Sequence, residues 1–174
     1  MDGRELYLLD ANILIEAAHS YYPSDQVPEF WDWLLYKAEL EEIKIPDEIL
    51  DEVLKGNSSK EPDLLLAWLK PKEVQQKLRL NEEVDTNLVQ KVLREGYAPD
   101  LNEVEIGKID RDPFLIAYAL ASKEERTVVT AEKSSPNKTR GNRRVPDVCR
   151  SLAVKHCTVF EMNRRLGFKT SWNR

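Results

Sequence analysis

Residues 5–15 read ELYLLDANILI. Tyr7, Leu8 and Leu9 make a short apolar run that stops at Asp10. An unbroken run of this length suits a strand buried on both faces, as in a parallel sheet; a half-exposed strand would alternate. Asn12 and Ile13 then lead into a helical stretch over 14–18. Strand, acid and helix in that order open an α/β unit, and the remaining chain repeats the pattern.

Pro23, Ser24, Asp25 and Pro28 mark a loop. Residues 29–42 predict a helix with Phe30, Trp33, Leu34, Ala38 and Leu40 on its apolar stripe. A short strand follows over 43–46, then a helix over 48–55 capped by Asp47 and stopped at Gly56. Residues 62–77 read as helical with a break near Pro71, and Asp85 or Thr86 caps a helix ending at Gly96. Asp112 caps a helix over 114–122 with Pro113 at its first position. The β-branched TVVT at 127–130 predicts a strand and the polar stretch 134–145 a loop. Residues 148–154 predict a helix, 157–160 a last strand, and 162–166 a last helical turn stopped by Gly167. Alternation of this kind predicts one domain over 1–174 of the α/β class: a three-layer α/β/α sandwich around a central, mostly parallel sheet.

Charged residues make up 33% of the chain and apolar ones 41%, a balance that suits a globular domain. No apolar run nears the ~20 residues that cross a bilayer, so no membrane association is expected. The start of the chain carries no signal-peptide pattern. Two cysteines, Cys149 and Cys157, are too few for a disulfide framework or a Cys-based zinc site, and a reduced, cytoplasmic setting is expected. His19 and His156 stand alone and receive no role.

The net charge of −5 hides a split. Residues 133–174 hold eleven Lys or Arg against two acids, a net of +9, while the other 132 residues carry 15 bases and 29 acids, a net of −14. Such asymmetry points to one surface that meets a polyanion.

Four acids fall at strand ends or helix starts. Asp10 ends the first strand, Glu52 lies one turn into the helix after the second, Asp112 opens the helix before the third, and Glu132 follows that third strand. Ligand sites of open parallel sheets collect outside the carboxyl ends of the strands, so these acids can converge. Clustered carboxylates repel one another when empty, and a hard divalent cation such as Mg²⁺ or Mn²⁺ relieves that repulsion. Asp10, Glu52 and Asp112 are the expected metal ligands, with Glu132 beside them in catalysis. Glu48 shares a helix face with Glu52 and competes with it, Asp110 competes with or supplements Asp112, and Asp147 is the alternative to Glu132. Asn12 is placed to donate a hydrogen bond to a ligating carboxylate.

These positions carry a resemblance. LLDANILI resembles the opening strand of PIN domains, with its terminal acid, small residue and Asn or Thr. EVLKG (52–56) resembles the family's glutamate, two spacers and glycine. DPFLIAYALA (112–121) resembles the helix of the third acid, and VVTAEKS (128–134) the strand ending in Thr-x-Asp, with Glu132 in place of the usual Asp. The similarity runs from residue 6 to about 167. It implies a parallel α/β/α sandwich and Mg²⁺- or Mn²⁺-dependent cleavage of single-stranded RNA. It further implies kinship with VapC-type toxins, each neutralised by a cognate antitoxin that carries a DNA-binding domain. A homodimer is compatible with it. The stretch 145–169 resembles a PIN-like branch whose members are less studied.

On the substrate side, Lys138, Arg140, Arg143 and Arg144 are the expected phosphate contacts. Tyr21, Tyr22, Trp31 and Trp33 are either stacking platforms for unpaired bases or core. Two rivals stand beside the nuclease. One is a PIN-like module that binds RNA or protein without cutting. The other is a haloacid-dehalogenase-like phosphatase, which also begins strand-then-Asp but wants a second Asp where Asn12 stands.

Overall fold

The apolar run before Asp10 forms strand β1, Leu6–Leu9, in which Leu8 and Leu9 are wholly buried. The computed structural model of the chain describes residues 3–56 and 63–174. Among them β1 is joined by β2 (Ile43–Lys44), β3 (Arg126–Val129) and β4 (Lys155–Cys157) in one sheet of order β2-β1-β3-β4. Every pairing is parallel, with Tyr7 opposite Ile43, Leu9 opposite Val129, and Val129 opposite Cys157. The outer side of β2 is covered by residues 78–80: the Ile45 amide donates to the Leu78 carbonyl (2.7 Å) and the Leu80 amide to the Ile45 carbonyl (2.9 Å).

After β1 come α1 (Ala11–Glu16), a π-helical turn (Ala17–Tyr21) and α2 (Pro28–Glu39). After β2 come α3 (Asp47–Leu54), α4 (Leu64–Leu69), α5 (Lys72–Leu78), α6 (Thr86–Lys91), a π-helical turn (Val92–Tyr97), α7 (Glu103–Ile109) and α8 (Asp112–Leu120). β3 is followed by a 3₁₀ turn (Arg140–Asn142) and α9 (Val145–Ser151), and β4 by α10 (Val159–Arg165). The step from β1 to β2 and the return to β3 run in opposite directions across the sheet. Right-handed crossovers therefore set their helices on opposite faces: α2 packs on β2, while α8 packs on β1 and β3. The result is the expected three-layer α/β/α sandwich. None of its described helices is long and apolar enough to cross a membrane.

An aromatic group seals the α2 face. Phe30 stacks on Tyr22 (4.3 Å between centroids) and meets Phe168 edge-on (5.5 Å), and Trp33 lies 4.9 Å from Phe168. Trp31 is buried and donates its indole N–H to the Tyr22 carbonyl (2.7 Å). Three of the four candidate stacking residues, Tyr22, Trp31 and Trp33, thus serve the core. Tyr21 alone is exposed.

Several boundaries differ from expectation. Asp47 and Asp112 are the first residues of their helices, not caps; Pro46 and Arg111 hold the cap positions. The last strand ends at Cys157, because Thr158 caps α10 in a reciprocal box with Glu161. α9 starts earlier than expected, since Pro146 in its first turn gives up no needed N–H. Pro62, where a helix was expected to begin, lies outside the described residues. α7 was not expected at all: Asn102 and Glu105 cap each other's backbone there (2.9 and 3.0 Å), but Ile109 is its one buried side chain, so no apolar stripe advertises it.

The π-helical turn after α6 ends on Gly96 and Tyr97. A Cβ at Gly96 would stand 2.6 Å from Val148 Cγ1 and 3.2 Å from Leu152 Cδ1. Val148 is fully buried and cannot retreat. Gly96→Ala is therefore expected to cost about 1–3 kcal/mol through overpacking, read as a lower urea midpoint; an unchanged midpoint would contradict this packing.

Candidate active site at the carboxyl ends of β1 and β3

The strand order reverses between β1 and β3, since their crossovers leave in opposite directions, and a crevice at such a point is where α/β sheets hold ligands. Asp10 sits at that point. Its amide donates to the Val129 carbonyl (2.9 Å), fixing it one residue beyond both strands. Its side chain is 5% exposed. Oδ2 accepts from the Thr130 hydroxyl (2.8 Å) and from the Asn12 amide (3.0 Å), while the Asn12 carbonyl accepts from the Ala131 amide (3.0 Å). Asn12 thus ties the end of β1 to the end of β3 and orients the carboxylate, the supporting task expected of it.

Burial pushes the Asp10 carboxyl up to about 6, helped by the charges of Glu132 and Glu52 and opposed by the Thr130 hydrogen bond. Asp112, at the start of α8, is pushed up to about 8, again by burial first and then by Asp10, Glu132, Glu52 and Asp110. Four expected acids therefore lie in one another's fields although they come from four separate segments. Glu52 is exposed and the loosest member; its own carboxyl is raised by partial burial and by Asp110 and lowered by Arg111.

Two of the rivals, Glu48 and Asp147, are engaged by other partners, whereas Asp110 adds its charge to those acting on Glu52 and Asp112. Glu48 accepts from the Tyr118 hydroxyl (3.3 Å), which comes from α8. Asp147 is engaged by the Ser134 hydroxyl and the Ser135 amide (2.8 Å), with Arg150 at 3.3 Å. Glu132 is the fourth acid of the group. Its Oε2 accepts from the Val145 amide (2.8 Å), and Arg144 lies 4.0 Å away. Asp110 is mainly exposed, at a backbone φ of 50° between α7 and α8, with Arg111 4.0 Å from its carboxylate.

Of the basic loop, two guanidinium groups are committed to the protein itself. Arg140 pairs with Glu105 (2.8 Å) and Asp100 (2.7 Å), which holds the Glu105 carboxyl down at about 2. Arg143 donates to the Gly96 and Asp147 carbonyls and to the Ser151 hydroxyl. These contacts brace the loop against α7 and α9; Arg143 nevertheless lines a polar hollow beside the acids, whereas Arg140 does not. Lys138 and Arg144 line the same hollow, of about 160 Å³, together with Lys108, Asp112 and Glu132.

Two members escaped the sequence reading. Thr130 was taken only as the end of a strand, yet it is the closest hydrogen-bond donor to Asp10. Tyr97 is 7% exposed, and its hydroxyl finds no partner among the described residues. Burial first, and then the charges of Asp112, Glu132 and Asp10, raise it above its ordinary range, so it stays a neutral donor. No local pattern marks Tyr97, the last residue of its π-helical turn.

Among the described residues, no three Asp, Glu, His or Cys side chains stand close enough to close around one ion. A hard ion such as Mg²⁺ asks for less, because it keeps several waters and takes one or two carboxylates with a substrate phosphate. The all-carboxylate donor set and the unmatched Tyr97 hydroxyl fit such a hydrated ion.

Fold and site together define an α/β sandwich with a carboxylate group at the switch point of its sheet. The chain belongs to the family described as Domain of unknown function (DUF4411), whose model matches residues 7–170. No curated protein matches the chain.

Proposed function

We propose that the protein is a Mg²⁺- or Mn²⁺-dependent endoribonuclease acting on single-stranded RNA. The observation that supports this reading best is the meeting of Asp10, Glu52, Asp112 and Glu132 in a mutually repelling group, in which Arg144 beside Glu132 and Arg111 near Glu52 offset only part of the repulsion. Asp10, Glu52 and Asp112 would hold one or two divalent cations. When bound, such a cation polarises the phosphodiester, lowers the pKa of a water and steadies the departing oxygen. Asn12 and Thr130 keep the Asp10 carboxylate aimed, and the neutral Tyr97 hydroxyl offers a proton-donating contact in a water-poor wall. Lys138 and Arg144 hold backbone phosphates. Attack by water in this scheme leaves a 5′-phosphate and a 3′-hydroxyl, with no protein nucleophile.

The resemblance to VapC-type toxins extends the reading to the toxin half of a toxin–antitoxin pair. Its partner would be a small protein with a DNA-binding domain, met in the cytoplasm. A second reading, a PIN-like module that binds RNA or protein without cutting, draws on the open arrangement of the acids and on the hold that Val145 and Arg144 have on Glu132. Titration of purified protein with Mg²⁺ and with EDTA separates the two. A nuclease cleaves RNA only with the metal, whereas a module binds equally well without it and cleaves nothing.

Replacing Lys138 and Arg144 together by Ala is expected to raise KM for RNA several-fold. It should also flatten the log–log salt dependence of binding by about 1.4, at roughly 0.7 per single-strand phosphate contact. Unchanged KM and slope would mean that these cations serve something other than RNA.

A further inference from the structure

We propose that the hollow between α1, the residues just after β3 and the start of α10 receives one unpaired nucleobase of the bound RNA; this rests on the ribonuclease reading. Ile13, Tyr21, Val159 and Phe160 give the hollow its apolar lining, and Glu16, Thr130 and Glu132 also line it. Its volume is about 130 Å³, well below the roughly 300–1,000 Å³ of pockets that take whole cofactors. A single ring system suits it better.

Tyr21 and Phe160 make the case for a planar guest. Both are large apolar residues left in water, 46% and 44% exposed. Scattered exposed apolar residues are ordinary; these two meet edge to face at 4.9 Å and 79° on the rim of one concavity. An exposed ring in such a pair keeps a face free, and every base offers a π-face to stack on it.

Position supplies the second argument. Thr130 and Glu132 belong both to this hollow and to the acid group, and Glu132 also borders the basin of Lys138 and Arg144. A phosphate held between those cations and the acids brings its adjoining nucleoside to the hollow. Lys133 and Thr158, also in the lining, supply groups for a base edge or a flanking phosphate. Bases in a duplex are not splayed, so the arrangement selects single strands.

The test uses Asp10→Asn protein, which binds RNA without cutting it under the parent reading, and a short single-stranded RNA carrying 2-aminopurine. Binding is followed by the probe's fluorescence, with Mg²⁺ present. Phe160→Ala is expected to weaken binding roughly 5- to 150-fold, the effect of losing one stacked base, and to remove the fluorescence change. Phe160→Tyr should restore both. An RNA with an abasic site at the probed position should bind weakly and ignore Phe160→Ala. Phe160 is 44% exposed, so thermal unfolding of Phe160→Ala should shift by only a few degrees, with the fold intact. If Phe160→Ala and the abasic RNA bind like the originals while the unsubstituted protein cleaves RNA, the base pocket is wrong and the nuclease stands. If the protein neither binds nor cleaves RNA, the parent reading and the pocket fall together.

Discussion

Asp10→Asn is expected to reduce RNA cleavage by purified protein on the order of 10³-fold, the scale of removing one preorganised charge-stabilising group from a catalytic site. The fold should survive the change. An asparagine carbonyl can still accept from Thr130 and Asn12, which today donate at 2.8 and 3.0 Å. The metal-free variant should also be the more stable protein. Asp10 is held ionised at neutral pH against a carboxyl raised from 3.8 to about 6. Removing that charge recovers up to about 3 kcal/mol at ~1.4 kcal/mol per unit. Melting in EDTA should therefore shift upward by several degrees, and any growth arrest caused by expressing the wild-type chain should vanish. Full cleavage by the purified variant would end the nuclease proposal, and a lower Tm in EDTA would show that the buried charge was already neutralised.

The second large effect concerns pH. The Asp112 carboxyl lies at 3.8 when solvated and at about 8 in the folded chain, so between those values the folded state carries the extra proton. Stability from this group is complete below about pH 4 and is lost as pH rises toward 8. Asp10 adds a loss of the same sign between 3.8 and about 6. Urea unfolding in EDTA should thus show the wild type losing more stability from pH 5 to pH 8.5 than Asp112→Asn does, by a few kcal/mol. Mg²⁺ should close the gap at pH 8.5 and do little at pH 5, where protonated carboxyls compete for it. Parallel pH profiles for the two proteins would refute the shared-field description of the site.

The parts of this site that were readable from sequence are those that local patterns dictate. Tyr7, Leu8 and Leu9 suited a doubly buried strand, which places the acid after them at its carboxyl end. Asp112 before Pro113 announced a helix start in the same way. What tertiary structure alone decides was not readable. Glu48 and Glu52 share a helix face, and only the hydroxyl of Tyr118, arriving from α8, assigns Glu48 elsewhere. Arg140 and Arg143 looked like their neighbours in a basic loop until Glu105 and the Gly96 carbonyl engaged them. Phe160 was read into a strand because Val159 and Phe160 prolong the apolar run after Cys157; the Thr158–Glu161 box turns that run into a helix and leaves the phenyl ring outside. Tyr97 carries no local signal, since its importance comes from three carboxylates remote in sequence.

The borders of the sheet bear on how copies of this chain can meet. Open rows of backbone donors and acceptors recruit foreign strands. Here one border is capped by residues 78–80, and the other, β4, runs for three residues with exposed Lys155 at its head. Neither offers a template on which an incoming strand could be threaded. Among the described residues, the sheet therefore gives copies of this chain little backbone to pair with, which favours helical surfaces over strand addition for any self-association.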